Sequence, residues 1–309
     1  MKTVFFGTAD FGIPALQALI DDNHEVVAVV TNPPRPAGRG RKLRQTPIAT
    51  YCQKEGIAPV LTPEDLTQDE FLATLRSLNA DLFIVVAFSI LPPQLFTIPP
   101  LGTYNIHAAL LPAFRGPAPI QRAIEAGART TGVTLFRIDA QVDTGSIVHQ
   151  QSLTIGENET TPELYERLSN LGGIVLREGI TYISDPDYEL TAQDHSLATK
   201  APLLHKSEGH INWHDTATII ARRVRAFKPF PGTFTYFGEK RLGVEKAEVV
   251  SIDSSQEPGV IVQCSGGKLI IACGQDALSL LEVKPEGKRN MSVADYLNGS
   301  ALVEGSKVL

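Results

Sequence analysis

Cysteine is scarce in this chain of 309 residues, which contains only Cys52, Cys264 and Cys273. Three scattered cysteines cannot all pair with one another, and none has a further ligand at the spacing of a zinc site. This pattern argues against a disulfide framework and against a cysteine-bound metal. We therefore expect reduced thiols, a cytoplasmic protein and no bound metal.

Long apolar runs are also lacking. No segment approaches the roughly 18 consecutive apolar residues that indicate a membrane-spanning helix. Met1-Lys2-Thr3-Val4 leads into a strand-like run without the pattern of a signal peptide. Hydrophobic residues make up 43% of the chain and charged residues 20%, which is typical of soluble globular proteins. At about 150 residues per domain, the length predicts two domains and no membrane partner.

Positive charge is in deficit, since the formal net charge is −6 at pH 7. That balance argues against a nucleic-acid partner, but the distribution of charge matters more than its sum. Residues 35–44 hold five Lys or Arg residues and no carboxylate, and residues 206–246 hold eight against four carboxylates. Each of these two basic zones can be a solvated surface or a binding surface for RNA.

The first two-thirds of the chain alternates apolar runs with helix-like apolar spacing. Strand-like runs are found at 4–6, 26–30, 82–87, 103–106, 133–138 and 147–150, and helix-like spacing at 13–20, 48–51, 66–78 and 160–180. This βαβ rhythm predicts an α/β fold with a Rossmann-like, doubly wound, mostly parallel sheet that binds ligands at the carboxyl ends of its strands. Residues 7–12 lack the spacing of a dinucleotide or phosphate loop, and we interpret them as a tight strand-to-helix turn.

Polar, irregular sequence from 184 to 206 predicts a linker. Residues 215–227 then carry an apolar face typical of an amphipathic helix. Short strand-like runs follow at 233–237, 260–264, 269–272 and 278–283, and their spacing favours a small β-barrel. We predict a catalytic domain at 1–184, a linker at 185–206 and a C-terminal domain at 207–309.

Asn105 and His107 are the most informative polar residues. They are two positions apart in a strand-like run, so their side chains leave the same face of the strand. The amide of Asn105 can donate to a developing oxyanion, the imidazole of His107 can accept a proton, and Asp143 can orient that imidazole. A lone Asn or His at a strand end is more often structural, but the three together indicate acyl transfer without a covalent nucleophile.

The motifs around these residues resemble the signature of folate-dependent formyltransferases. The matching motifs are Asn105-Ile106-His107, Leu110-Leu111-Pro112, Arg115-Gly116 and Val142-Asp143-Thr144-Gly145. Residues 32–40 resemble the arginine-bearing loop of the members that formylate methionyl-tRNA. Residues 198–202, 211–213 and 225–231 are similar to the linker and second domain of those members, so the resemblance covers nearly the whole chain.

The resemblance implies transfer of a formyl group from 10-formyltetrahydrofolate to the α-amine of initiator methionyl-tRNA, with no metal. It also implies a C-terminal OB-like barrel that helps to hold tRNA and a monomeric enzyme. The implied folate-binding residues are Phe88, Ser89, Ile90, Leu91, Leu110, Leu111, Pro112, Asp139, Ala140, Gln141 and Val142. The implied tRNA-binding residues are Arg35, Arg39, Arg41, Lys42, Lys206 and Arg222.

Two positions depart from the family pattern. Ala109 stands where the family usually has a serine, so a hydroxyl close to His107 is missing. Gln141 replaces a frequent glycine and can alter the loop expected to bind folate. Two alternatives remain open: a formyltransferase for a sugar nucleotide or other small amine, and an RNA-binding protein without catalysis.

Overall fold

The computed structural model describes residues 1–37, 42–57, 59–252 and 256–308. These residues form two compact units. Unit 1 comprises Met1–Pro119, Thr130–Thr154 and Tyr165–Ala201, and unit 2 comprises Ile120–Arg129, Ile155–Leu164 and Pro202–Leu309. The predicted linker therefore contributes residues to both units, and the domain boundaries stay a prediction. Among the described residues, no helix combines the length and the hydrophobicity of a membrane span.

Unit 1 is built on a seven-stranded sheet. Its strands are β1 (Lys2–Gly7), β2 (Glu25–Val30), β5 (Val60–Leu61), β6 (Leu82–Val86), β7 (Thr103–His107), β8 (Thr130–Arg137) and β9 (Ile147–Thr154), in the spatial order β5-β2-β1-β6-β7-β8-β9. The first five in that order pair in parallel, and β8 and β9 are antiparallel. The predicted mostly parallel, doubly wound sheet is confirmed.

The order of the strands locates the ligand-binding edge of this sheet. Strands β1 and β6 are neighbours, and the chain winds outward from them in opposite directions. The carboxyl ends of strands at such a switch point diverge and leave a crevice for ligands. All five residues of β6 are buried, as expected for a parallel strand that is covered on both faces. The segments that follow β1 and β6 border this crevice, and the segment that follows β7 lies at the same edge of the sheet.

Helices and short elements complete the chain. The helices are α1 (Ile13–Asp21), α2 (Pro47–Glu55), α3 (Asp69–Ser77), α4 (Pro93–Phe96), α5 (Pro119–Ala126), α6 (Thr161–Ile183), α7 (Ala217–Ala226) and α8 (Val293–Leu297), with 3₁₀ turns at Asp10–Gly12, His195–Leu197 and Lys206–Gly209. Thr46 caps α2 by accepting a hydrogen bond from the Ala49 backbone, and Gly56 ends that helix at a φ of 68°. A two-stranded hairpin of β3 (Arg35–Ala37) and β4 (Lys42–Arg44) was not predicted from the sequence.

Unit 2 contains an antiparallel sheet that corresponds to the predicted barrel. Its strands are β10 (Thr233–Phe237), β11 (Lys240–Val250), β12 (Ile261–Gln263), β13 (Leu269–Ala272), β14 (Ala277–Pro285) and β15 (Met291–Ser292), in the order β10-β11-β14-β13-β12 with β15 on β14. Register shifts between Val244 and Ala247 indicate bulges, which bend a strand as a curled sheet requires. Trp213 lies in the core beneath this sheet, and its indole N–H donates to Thr235 Oγ1 at 3.0 Å.

Candidate active site

Strand β7 presents two of the three residues predicted for catalysis. It lies between β6 and β8, where Asn105 pairs with Val85 and His107 pairs with Thr134. Asn105 is half-buried, and only 6% of the His107 side chain is exposed. Because the two residues are two positions apart, both side chains face the same side of the sheet. A central strand holds them more rigidly than a loop would.

The two ring nitrogens of His107 have different neighbours. Its Nε2 lies 2.9 Å from the backbone carbonyl oxygen of Phe114, and its Nδ1 lies 3.7 Å from Oδ2 of Asp143. A carbonyl oxygen can only accept a hydrogen bond, so Nε2 carries the hydrogen of the neutral ring. Nδ1 is then the unprotonated nitrogen and the atom that can take up a proton. A protonated ring would have a carboxylate next to it.

The Asp143 carboxylate is held in place by the backbone. The Gly116 N–H donates to Oδ2 of Asp143 at 2.8 Å, and the carboxylate is only 10% exposed. Asp143 has a φ of 56° and Phe114 a φ of 59°. A left-handed conformation is uncommon for residues other than glycine and is found often at functional sites. Two strained backbone positions thus place the neighbours of His107.

The amide of Asn105 is available to a ligand. Within the described parts of the chain, its side chain makes no hydrogen bond, and its amide atoms are not among the fully buried groups that lack a partner, so they reach solvent. A half-buried amide carries two N–H donors and one acceptor, and these groups require partners when the surface is covered. An oxyanion of a bound substrate would satisfy a donor. Asn105 and His107 thus share one face of β7, and the Asp143 carboxylate lies 3.7 Å from Nδ1 of His107.

The segment after β7 is fixed by polar side chains from β8 and β9. The Thr134 hydroxyl donates to the Ala109 carbonyl at 2.6 Å and accepts from the Leu111 N–H at 3.1 Å. Gln150 Nε2 donates to the Leu111 carbonyl at 2.9 Å. Ala109 itself is fully buried. These bonds hold the loop without the hydroxyl that is missing at position 109, while Leu110 and Pro112 remain half-buried.

The loop after β6 divides its side chains between the core and the surface. Leu91 is 5% exposed, and the Phe88 ring packs edge-on against Phe6 with centroids 5.6 Å apart. Ser89 is exposed, and Ile90 is 79% exposed. Phe88 and Leu91 therefore anchor the loop, and a ligand at this edge would meet Ile90 and backbone groups.

The loop between β8 and β9 is organised by Asp139. Its Oδ1 accepts from the Gln141 N–H at 3.0 Å and from the Thr144 hydroxyl at 2.7 Å, as in an Asx-turn. Ala140, Gln141 and Val142 are exposed, and Val142 is 52% exposed. The loop thus has an ordered backbone and an apolar side chain open to solvent. Gln141 is not among the residues with a positive φ, so its backbone is unstrained at a position where the family often has glycine.

The predicted basic residues lie in different surroundings. Arg35 and Lys42 are exposed on the β3–β4 hairpin, and Lys206 is exposed at the start of a 3₁₀ turn. Arg222 is half-buried in unit 2, where its guanidinium lies against Gly127. Burial, and then the charge of Arg222, lowers the pKa of Arg225. Arg39 and Arg41 lie outside the described residues.

Two other arginines of unit 2 are structural. Arg122 forms ion pairs with Glu125 at 2.7 Å and Glu208 at 2.8 Å, and Arg223 pairs with Glu125 at 3.1 Å and Asp215 at 2.7 Å. These charges are satisfied within the protein. Basic residues in the second zone therefore differ in what they can offer to a ligand, and Arg222 is a better candidate for a phosphate contact than Arg223.

The buried thiols are poor nucleophiles. Burial raises the pKa of Cys52 to about 11 and that of Cys273 to about 12. A thiol is reactive as the thiolate, so both groups are inert near neutral pH.

Comparisons with known proteins assign the family. A model described as formyl transferase matches residues 1–180, and one described as the formyl transferase C-terminal domain matches residues 203–301. The chain is 43% identical over 303 residues to a methionyl-tRNA formyltransferase of Methylococcus capsulatus, and the match covers 98% of each chain. The chain belongs to the methionyl-tRNA formyltransferase family. Further curated relatives with the same name are 36–42% identical.

Solved structures with low sequence identity share the fold. The sugar 3N-formyltransferase WlaRD matches with a TM-score of 0.67 at 19% identity, over 94% of this chain and 99% of that chain. A methionyl-tRNA formyltransferase from Clostridium thermocellum matches with a TM-score of 0.54 at 18% identity, over 83% of this chain and 95% of that chain. At such identities the likeness shows the fold alone, so it does not distinguish one acceptor from another.

Sequence analysis gave no role to Phe114 or Thr199. Phe114 contributes a backbone carbonyl, which no residue type signals, and its own N–H donates to Thr199 Oγ1 at 2.8 Å. Thr199 belongs to the segment that composition predicts as a linker. The one feature of the sequence that could have indicated this role is the Arg115-Gly116 motif, which directly follows Phe114. A family motif in an irregular loop suggests that the backbone of that loop has a defined position. In this formyltransferase, the candidate site includes main-chain groups as well as side chains: the Phe114 carbonyl contacts His107, and the Gly116 N–H contacts Asp143.

Proposed function

We propose that this chain transfers the formyl group of 10-formyltetrahydrofolate to the α-amino group of initiator methionyl-tRNA. Similarity over nearly the whole chain to relatives with that name supports the acceptor. The observation that carries the chemistry is the placement of His107, whose unprotonated Nδ1 faces Asp143 on the side of the strand where Asn105 presents a donor. A binding protein has no need of a base, a carboxylate and a free amide in one place.

The reaction proceeds by direct attack. The neutral amine attacks the formyl carbon, and the carbonyl oxygen becomes an oxyanion to which Asn105 donates a hydrogen bond. His107 Nδ1 accepts a proton from the attacking nitrogen, and the resulting imidazolium is stabilised by Asp143. The bond between the formyl carbon and N10 of the folate then breaks, and N10 takes up the proton. The new amide bond remains on the methionine.

Asp143 differs here from the carboxylate of a Ser-His-Asp triad. In a triad the carboxylate binds the nitrogen opposite the one that accepts the proton. In this chain the Phe114 carbonyl occupies that opposite position, at 2.9 Å from Nε2, and Asp143 lies 3.7 Å from the accepting Nδ1. Phe114 therefore fixes the tautomer and orientation of the ring. Asp143 stabilises the charge that the ring acquires.

The folate is proposed to lie between the loops that follow β6 and β8. Ile90 and Val142 are exposed apolar side chains on these loops, and a flat ring system covers such groups favourably. Backbone groups near Ser89 and of the Asp139–Val142 turn can pair with the polar edge of a pterin. Leu110, Leu111 and Pro112 line the segment next to His107. The shape of these loops and their backbone hydrogen-bonding groups, more than the chemistry of their side chains, would then select this cosubstrate.

The acceptor tRNA is proposed to bind the two basic zones. Arg35 and Lys42 are exposed on their hairpin, where Leu43 is also 73% exposed. Burial is the main cause of the lowered pKa of Arg225, and the charge of the nearby Arg222 lowers it further, so the two cations repel each other. A phosphate group placed beside them would relieve that repulsion. Basic residues without a carboxylate partner are the ones that contribute to RNA affinity.

Arg222→Ala is expected to weaken binding of methionyl-tRNA and to lower the slope of log Kd against log salt concentration by about one unit. Loss of one phosphate contact is the physical reason. Filter binding or fluorescence anisotropy across salt concentrations measures this slope. Arg289→Ala is the control, since it removes the same charge from an exposed position in unit 2. Equal slopes in the two variants would exclude a phosphate contact at Arg222.

The test of the proposed function uses 10-formyltetrahydrofolate with a labelled formyl group. The wild-type protein is incubated with methionyl-tRNA, with sugar-nucleotide amines or with methionine methyl ester. Label on methionyl-tRNA alone is the expected result. Label on a small amine in preference to tRNA would assign a small-molecule acceptor, and tRNA binding without transfer would assign an RNA-binding protein. Size-exclusion chromatography in the same buffer checks the expected monomer.

A further inference from the structure

Gln193 is a buried amide in a polar segment. Its neighbours Asp194 and His195 are exposed, yet only 6% of Gln193 is exposed. Burying an amide is unfavourable unless its donors and acceptor find partners. Because Gln193 is buried in a segment whose composition is typical of a linker, its amide needs hydrogen-bond partners within unit 1.

The side chain of Gln193 joins two loops of the active site. Its Nε2 donates to the backbone carbonyl of Asp143 at 3.0 Å and to that of Gly145 at 2.7 Å. Its Oε1 accepts from Nε of Arg115 at 3.2 Å and from a terminal nitrogen of the same guanidinium at 2.6 Å. One amide thus closes the Asp143-Thr144-Gly145 turn and ties it to Arg115.

These bonds form a closed ring with the carboxylate. Arg115 is followed by Gly116, whose N–H donates to Asp143 Oδ2 at 2.8 Å. The carboxyl oxygen of Asp143 is therefore held by one loop, while its own backbone carbonyl is held to the same loop through Gln193 and Arg115. Asp143 needs such support because its φ of 56° is unfavourable for a residue with a side chain.

We propose that Gln193 is a positioning residue for formyl transfer, which holds the Asp143 turn so that its carboxylate lies beside Nδ1 of His107. This inference rests on the role proposed above for Asp143 and His107. Gln193 does not touch the reacting atoms in this account. It acts through the backbone carbonyls that precede and follow Thr144.

Other charged groups around the turn are accounted for. Arg115 also lies 3.0 Å from Nδ1 of His195, and Asp139 accepts a hydrogen bond from the Thr144 hydroxyl. Among described residues, the titratable groups of this network are thus His107, Asp143, Arg115, His195 and Asp139. A change at Gln193 that leaves Arg115 paired alters the turn without adding an unpaired charge.

Gln193→Glu is the most informative substitution. It keeps the size of the side chain and lets a carboxylate bind Arg115, but it replaces the donor to the Asp143 and Gly145 carbonyls by an oxygen that repels them. The turn should move, and a displacement of about 1 Å can cost roughly 10²-fold in turnover. We expect kcat to fall by that order, and KM for 10-formyltetrahydrofolate to change by much less.

The pH profile separates positioning from general destabilisation. A displaced Asp143 no longer stabilises the positive charge that forms during transfer, so the acid limb of kcat is expected to move to lower pH. Partial unfolding would lower the whole profile and leave that limb in place. Gln263→Glu is the matched control, because Gln263 donates to a single carbonyl in unit 2 and should leave both kcat and the limb unchanged.

Asp143→Asn, measured in parallel, separates the role of Gln193 from the roles proposed for Asp143 and His107. If Asp143→Asn shifts the limb and Gln193→Glu does not, the role of Gln193 is overturned and the proposed mechanism stands. If Asp143→Asn does not shift the limb, the role of Asp143 fails with it. Should Gln193→Glu not fold by circular dichroism, Gln193→Met carries the same test without a charge. Failure of both variants to fold would make Gln193 a structural residue and overturn its proposed role.

Discussion

His107→Ala is expected to lower kcat of formyl transfer by about 10²–10⁴-fold, the usual contribution of a general base. The substitution removes Nδ1, which lies 3.7 Å from Asp143, and with it the group that accepts the proton of the attacking amine. Binding of 10-formyltetrahydrofolate should change much less, because the proposed folate loops follow β6 and β8. Single-turnover formylation of methionyl-tRNA at saturating donor measures the effect.

The control for this prediction is His149→Ala. His149 also lies in unit 1 and pairs with a carboxylate, Glu178, at 2.7 Å. It is on β9, which β8 separates from the strand that carries His107. The His149→Ala variant loses the same kind of contact between a histidine and a carboxylate, and it should retain near-normal turnover. The proposed role of His107 would be lost if both variants, folded by circular dichroism, had similar kcat values.

The sequence predicts the central strands of unit 1 well because β1 and β6 are buried on both faces. The run Leu82–Val86 is wholly apolar and wholly buried, so composition and environment agree there. The β3–β4 hairpin was missed because Arg35, Pro36 and Lys42 are exposed polar or turn-forming residues with no apolar alternation. A strand that buries nothing leaves no hydrophobic pattern to detect.

The candidate site was also predicted only in part from the sequence. Asn105 and His107 could be placed on one face from their spacing alone, since that relation is set by the geometry of a strand. The proximity of Asp143 came from the family motif and is supported by the observed distance to His107. Nothing in the sequence indicated that the Phe114 carbonyl would hold the other ring nitrogen, because every residue carries a carbonyl and only the fold aims it.

Gln193 shows why composition can misjudge a segment. The polar residues around it predict an exposed linker, and Asp194 and His195 are indeed exposed. The amide itself is buried because four hydrogen bonds to Arg115, Asp143 and Gly145 compensate its removal from water. Those partners are distant in sequence, with Gln193 and Asp143 separated by 50 positions. Local patterns cannot report contacts of that kind.

Asn105→Ala is expected to lower kcat by about 10²–10³-fold, which is typical for loss of one oxyanion donor. Asn105→Asp should lower it further, although the two side chains have nearly the same shape. A carboxylate at this half-buried position would face the developing oxyanion with like charge. The two substitutions therefore separate the loss of a hydrogen bond from the addition of a repulsive charge.

The order of these effects is the critical observation. Asn290→Asp provides the control, since it adds the same charge at an exposed position in unit 2 and should leave kcat unchanged. Rapid-quench measurement of formyl transfer, with donor and methionyl-tRNA both saturating, isolates the chemical step from binding. If Asn105→Asp were more active than Asn105→Ala, shape and not hydrogen-bond donation would be what position 105 supplies, and the oxyanion would have to be stabilised elsewhere in the site.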